Sequence, residues 1–206
     1  MLQISALSHT YTGQQPINFP DFALGFGESM WVRGQSGAGK STLFHLIMGM
    51  LSPSQGEIRL EDKVWNQNFK GNDIRRSIGF VPQRPLFVNS LTIQENIYLG
   101  KMAGIKLEKE LVIRELSEHL SVADCLHKFP TELSLGQLQR AQVLRALSYP
   151  YRVLLLDEPT ASLDDESALK VKQVLTREGN EESRALLVIS HDPRLESWKF
   201  TKEYQL

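Results

Sequence analysis

Eight residues, "GQSGAGKS" from Gly34 to Ser41, carry three glycines, the outer two with four residues between them, then a lysine and a hydroxyl residue. Such glycines let successive backbone N–H groups curl around phosphate oxygens, and the N-terminus of a following helix adds partial positive charge. Gly34, Gln35, Ser36, Gly37, Ala38 and Gly39, with Thr42 just beyond, therefore read as a phosphate cradle. Lys40 is expected to reach the β- and γ-phosphates of a nucleotide, and the Ser41 hydroxyl to ligate Mg²⁺. Farther along, "VLLLDE" ends an apolar run in two consecutive carboxylates. Strand alternation turns successive side chains opposite ways, so the pair divides its work: Asp157 as the Mg²⁺ partner through water, Glu158 as the general base that polarises an attacking water. A third stretch, "ELSLGQLQR" from Glu132 to Arg140, has a small hydroxyl, a glycine and a helix-like run, the ingredients of a second anion site. One cradle suffices for one triphosphate, so the second requires a reason.

These residues need elements to hold them. Short apolar runs at "MWV" (30 to 32), "IGFV" (78 to 81), "VLLL" (153 to 156) and "ALLVI" (185 to 189) read as buried strands, and their alternation with helical stretches predicts a mostly parallel α/β sheet. The cradle sits between the first of these strands and the helix-like "STLFHLIMGM". From about 85 to 148 the texture changes. Leu107, Leu111, Leu116 and Leu120 recur at near-helical spacing, and "QLQRAQVLRAL" continues the pattern in a helix beginning near Gln137. The reading is one domain, 1–206, with a core of about 1–84 and 149–206 and a helical lobe of about 85–148 inserted into it.

With 206 residues and 41% hydrophobic content the chain has enough apolar material for one large core. A net charge of −1 supplies no general attraction to nucleic acid or to anionic lipid. The single Cys125 forms no internal disulfide, the start "MLQISALSHTY" lacks an export signal, and no apolar run approaches the length needed to cross a bilayer. A reducing, cytosolic setting is expected, with any membrane crossing left to other chains.

Taken in order, the motifs resemble those of the nucleotide-binding subunits of ATP-binding cassette (ABC) transporters. The cradle resembles Walker A, "VPQ" ending in Gln83 the Q-loop, "LSLGQ" the signature, "VLLLDE" Walker B, "SLD" at 162 to 164 the D-loop, and "ISHD" the switch-histidine segment. The resemblance implies a P-loop NTPase fold with a RecA-like, mostly parallel core, an N-terminal antiparallel β portion and the inserted lobe. It implies ATP and Mg²⁺ as cofactors, with Tyr11 stacking on adenine and Gln83 ligating Mg²⁺ and linking nucleotide state to the lobe. His191, 33 residues after Glu158, resembles the histidine that contacts the γ-phosphate and orients the water. Glu158, His191, Lys40 and Gln83 thus form the expected catalytic set. In the family two subunits pair head to tail, which explains the second loop. Ser134, Gly136 and Gln137 of one chain would close over ATP held by the other, and Asp164 would communicate across the pair. His9, His45, His119 and His127 stand in no motif.

The implied function is a motor at the cytoplasmic face of the inner membrane: a peripheral pair, by default a homodimer, that drives separate polytopic membrane subunits. Residues 84–100, which follow Gln83, are expected to receive the membrane chain. The end of the chain, 15 residues after His191, leaves no expectation of a C-terminal regulatory domain, and the chain is loosely similar to export-type and lipoprotein-releasing ATPase subunits. A soluble cassette ATPase acting on DNA or the ribosome is the alternative. It fits less well, because the charge is near neutral and there is room for one cassette only. A P-loop kinase or ligase leaves "LSLGQ" and His191 unexplained. The one departure is Leu135, where the family usually has glycine. Leu135→Gly is expected to leave ATPase activity within a few-fold; a rise of about 100-fold, or about 2.7 kcal/mol of barrier, would show that leucine impairs the loop.

Overall fold

The computed structural model describes residues 1–65, 76–108 and 110–206. Two sheets organise the chain. The N-terminal sheet is antiparallel: β1 (Leu2–His9) pairs with β2 (Ile17–Asn18), β3 (Phe22–Leu24) and β5 (Gln55–Leu60), and β5 pairs in turn with β6 (Lys63–Trp65). The second sheet contains β4 (Ser29–Arg33), β7 (Ile78–Val81), β8 (Val153–Asp157), β9 (Ala185–Ile189) and β10 (Lys202–Gln205), in the order β10-β4-β9-β8-β7 with every pair parallel.

The four apolar runs become β4, β7, β8 and β9 because both faces of this sheet are covered. All five residues of β9 are buried. The strand pleat divides them between two cores. Val153, Leu155, Ala185, Leu187 and Ile189 join a core with Leu43, Phe44 and Ile47 of α1 (Lys40–Ile47) and with the antiparallel sheet. Leu154, Leu156, Leu186 and Val188 face a second core with α4 (Leu135–Leu147) and α5 (Asp165–Gly179).

Between β7 and β8 lie α2 (Ile93–Met102), α3 (Glu110–His119) and α4, with 3-10 turns at Ala123–Cys125 and Pro130–Glu132. The expected apolar face of α3 is corrected. Leu107 precedes the helix, which starts at Glu110, and Leu111 is 66% exposed. The residues that turn inward are Ile113, Ser117 and, just past the helix, Leu120, with Leu116 partly buried against them. Helical spacing counted from the true first turn puts 113, 116, 117 and 120 on one stripe.

The segment downstream of Gln83 is fastened to this lobe by buried amides. The Asn96 amide accepts from Val88 N at 2.8 Å and donates to the carbonyls of Val88, Leu91 and Thr92. Gln142 of α4 accepts from Leu86 N at 3.1 Å and from Arg145, whose guanidinium lies over the Phe87 ring.

The outer strand β10 is tied at its start by Lys202, whose ammonium donates to Ala23 O at 2.8 Å and pairs with Glu28 at 2.6 Å. The hydrogen bond from Lys202 holds the Glu28 carboxyl below its usual range, with the Gly25 N–H assisting. A carboxylate with a depressed folded-state pKa adds stability above its unfolded value and loses it as pH falls through the folded one. Glu28→Gln is therefore expected to cost about 0.5–1 kcal/mol at pH 7, discounted for a pair that is about a third exposed. Urea titrations from pH 7 to pH 3 should show that difference closing below about pH 4; a difference that persists would assign the loss to shape.

Candidate functional site

Buried on both faces, a parallel strand can offer polar groups to a ligand only where it stops. The carboxyl ends of β4, β7, β8 and β9 stop side by side, and each delivers one piece of the site.

After β4 the chain turns through the cradle into α1. Two glycines there are required by contact. A Cβ on Gly34 would lie 2.8 Å from Leu206 O, and one on Gly39 would lie 2.8 Å from Ile17 Cγ2. Gly39 also caps α1 in the left-handed conformation, φ 97°. The Lys40 ammonium donates to Gly34 O at 2.8 Å and to Gln35 O at 2.9 Å, which closes the loop. At the start of α1 the N–H groups of Lys40, Ser41 and Thr42 have no backbone acceptor among the described residues, the arrangement that receives an anion.

After β8 come the carboxylates. Asp157 ends the strand, but Glu158 has φ 50° and leaves the pleat. The alternation expected to turn the two acids apart therefore does not operate. Both line one cleft of about 410 Å³, together with Tyr11, Gln83 and His191. What separates their roles is environment. Burial, and then the neighbouring charge of Glu158, push the Asp157 carboxyl up, while the Ser41 hydroxyl and the positive charges of His45 and Lys40 pull the other way. Glu158 is instead gripped: Ser190 Oγ donates to it at 2.9 Å and the His191 N–H at 3.0 Å. Ser190 is itself held, since its carbonyl accepts from Trp31 Nε1 at 3.1 Å. Sequence reading missed Ser190; its place between the last residue of an apolar strand and a motif histidine was the available signal.

Ser36, Gly37, Gly39, Lys40, Ser41 and Thr42 also line the cleft. Gly34 and Gln35 face a neighbouring cleft behind the loop, which His191 shares, and Ala38 lines neither. At the far wall the Tyr11 hydroxyl meets Thr42 Oγ1 at 3.1 Å, and the ring lies edge-on to His9, 4.6 Å between centroids. His9, left without a role by its sequence context, thus helps to orient Tyr11.

Besides Gly34, Gln35 and Ala38, four more expected residues are not in this cleft. Ser134, Gly136 and Gln137 form the start of α4, and Asp164 caps α5 by accepting from Ser167 N at 2.8 Å. These two helix starts adjoin, because a Cβ on Gly136 would be 3.6 Å from Ser162 O. The helix expected to begin near Gln137 begins at Leu135, since Ser134 and Gln137 form a capping box: Gln137 Oε1 accepts from Ser134 N at 2.9 Å and Ser134 Oγ from Gln137 N at 3.2 Å. The box uses those two N–H groups and leaves those of Leu135 and Gly136 without an acceptor among the described residues. Leu135 has no left-handed φ and its side chain is 56% exposed, so the position does not require glycine in this chain.

The donors around Asp157 suit a hard cation. Ser41, Gln83 and Asp157 offer oxygen, and no group of three His, Cys, Asp or Glu side chains able to hold a metal occurs among the described residues. Such a set fits Mg²⁺ that keeps waters and shares phosphate oxygens.

A sequence profile of the ABC transporter family matches residues 17–161. The chain is 34% identical over 204 residues to an uncharacterised ABC transporter ATP-binding protein of Mycobacterium tuberculosis, covering 95% of this chain and 82% of that one. It is 32% identical to the thiamine import ATP-binding protein ThiQ of Yersinia pestis, covering 93% and 80%. With the phosphate import ATP-binding protein PstB of Aeropyrum pernix it shares 36% identity, covering 94% and 81%. Among solved structures it is similar to the dimeric bacterial ABC transporter cassette MJ0796, at TM-score 0.83 and 27% identity over 100% of this chain and 94% of that one. The same cassette in a dimeric post-hydrolysis state with ADP and Pi matches at TM-score 0.78 and 28% identity, covering 93% and 88%. The cradle, the gripped carboxylate and these matches agree: the chain belongs to the ABC transporter family, as one of its ATP-binding, ATP-hydrolysing subunits.

Proposed function

We propose that two copies of this chain pair head to tail and hydrolyse two ATP molecules at the composite sites between them, driving separate membrane-spanning subunits. The observation that supports this most directly is the separation of two half-sites within one chain. The P-loop cleft contains Lys40, Asp157, Glu158 and His191, whereas the free N–H groups at the start of α4 lie elsewhere on the surface. A second copy brings them together.

In this reading the cradle amides and Lys40 hold the triphosphate, and Tyr11, fixed by Thr42 and His9, stacks on adenine. Mg²⁺ would be held by Ser41, Gln83 and Asp157, and when bound it neutralises phosphate charge. Glu158 takes the proton of the attacking water as general base. Its two anchors, Ser190 Oγ and the His191 N–H, keep the carboxylate aimed. His191 contacts the γ-phosphate from the same turn. Across the interface, Ser134 and the Leu135 and Gly136 N–H groups meet the partner's γ-phosphate, with the dipole of a 13-residue helix behind them. Gln137 completes that face and Asp164 lies beside it. Loss of the γ-phosphate removes the shared ligand, so hydrolysis opens the pair.

The whole chain acts as one cassette, with the core at about 1–84 and 149–206 and the lobe at about 85–148. No described helix is long and apolar enough to cross a membrane, which fits a peripheral subunit on the cytoplasmic face. Its contact with the membrane chain lies within 84–100, where Leu86 and Val88 are exposed. The relatives above that are named for a cargo are import subunits; cargo and direction belong to the membrane chains.

Glu158→Gln should bind ATP, lose turnover by about 100-fold or more, and run as a dimer on size-exclusion chromatography with ATP and Mg²⁺. Lys40→Ala should lose nucleotide affinity instead. A Glu158→Gln protein that stays monomeric with saturating ATP would rule out the composite site. Affinity capture of the tagged chain from membranes should bring a polytopic protein; capture of rRNA or DNA would overturn the motor assignment.

A further inference from the structure

Arg194 lies three residues after His191, outside the motifs named above. Its surroundings are unusual for a surface arginine. The Nε donates to Asp192 Oδ1 at 2.9 Å and to Oδ2 at 3.0 Å, and Nη2 pairs with the same carboxylate at 2.8 Å. Its Nη2 also donates to Thr160 O, and Nη1 to Leu163 O and Asp165 Oδ1, each at 3.0 Å. The carboxylate in turn accepts from Thr160 Oγ1 at 2.6 Å. Thr160 is wholly buried and Asp192 nearly so. Burial opposes the charge on Asp192, yet the bonds from Arg194 and Thr160 hold its carboxyl below the usual range.

The fork joins two segments with different duties. One, 191–194, carries His191, whose N–H grips Glu158 in the P-loop half-site. The other, 160–165, carries Ser162, beside Gly136 of the signature, and Asp164, the cap of α5. The planar guanidinium is thus a direct physical link between the half-site that hydrolyses ATP in one composite site and the half-site that serves the other. A lysine keeps the charge but has one nitrogen in place of three, so it cannot reproduce the bonds that Nε, Nη1 and Nη2 make to the two segments.

We propose that Arg194 is a positioning residue that couples the two ATP sites of the dimer, by transmitting displacement of the His191 turn to the 160–165 segment and the signature start beside it. This rests on the composite-site reading above. The coupling acts within each chain, and the shared interface carries it to the partner's nucleotide.

The test is the dependence of ATPase rate on ATP for the full-length protein and for Arg194→Lys, with melting temperatures recorded for both. The native chain should be cooperative, with a Hill coefficient clearly above 1 and bounded by 2, the number of sites. Arg194→Lys should fall to a coefficient near 1 and lose about tenfold in kcat, about 1.4 kcal/mol of barrier, with half-saturation by ATP unchanged. Arg194→Gln, if folded, should behave likewise. A native chain with a Hill coefficient of 1 overturns the proposal. So does a lysine variant that keeps native cooperativity, or one whose loss merely follows its unfolded fraction or appears only as weaker ATP binding. Glu158→Gln is run beside them: if it fails to dimerise with ATP the composite site is wrong, whereas a normal dimer with cooperative Arg194→Lys kinetics removes only this inference.

Discussion

Everything at the site follows from a sheet that cannot afford polar groups along its length. Strands β8 and β9 are buried on both faces, their alternate residues committed to two different cores. Polar chemistry is therefore confined to the edge where the strands end, and chain direction makes it one edge because every pair is parallel. Cradle, glutamine, carboxylates and histidine come from distant stretches and meet because four strands end at the same level.

At that edge the carboxylates illustrate how environment assigns roles. Glu158 has left the strand in a left-handed conformation, which costs a non-glycine residue about 1–2 kcal/mol. The bonds that offset it are the backbone contact of its N–H with Ile189 O and the grip of Ser190 and His191 on its carboxylate. These bonds fix the direction in which the carboxylate points. Asp157 has the opposite setting, half-buried and beside another acid, and it sits against Ser41 where a cation would relieve the strain of its charge.

The signature start shows a different economy. Its capping box satisfies two of the orphan N–H groups of α4 and leaves two directed outward. In the proposed pair a phosphate would meet main chain there, so the departure at Leu135 leaves the N–H groups of Leu135 and Gly136 in place. The same start adjoins the 160–165 segment, which Arg194 and Asp192 bind to the histidine turn. Polar contacts therefore join the histidine turn to the 160–165 segment, which packs beside the start of α4.

Much of this was legible in the sequence because it is local or periodic. The four apolar runs became strands, the glycine-rich loop and Glu158 stood out by residue type and spacing, and Gln83 and His191 through the family resemblance; Ser36, Gly37, Lys40, Ser41, Gln83, Glu158 and His191 share one cleft. The inward stripe of α3 was misjudged at Leu111, since helical phase depends on where the first turn starts and the leucines suggested an earlier start. Ser190, His9 and Arg194 were invisible as contributors. Each acts through a partner distant in the chain, Glu158, Tyr11 or Thr160, and only packing brings such partners within hydrogen-bonding or van der Waals reach. Sequence by itself determined which groups could do phosphate chemistry, since that depends on residue type and local backbone freedom. Tertiary structure decided which way those groups point and what restrains them, because direction and restraint are set by contacts between strand ends that the chain order keeps apart.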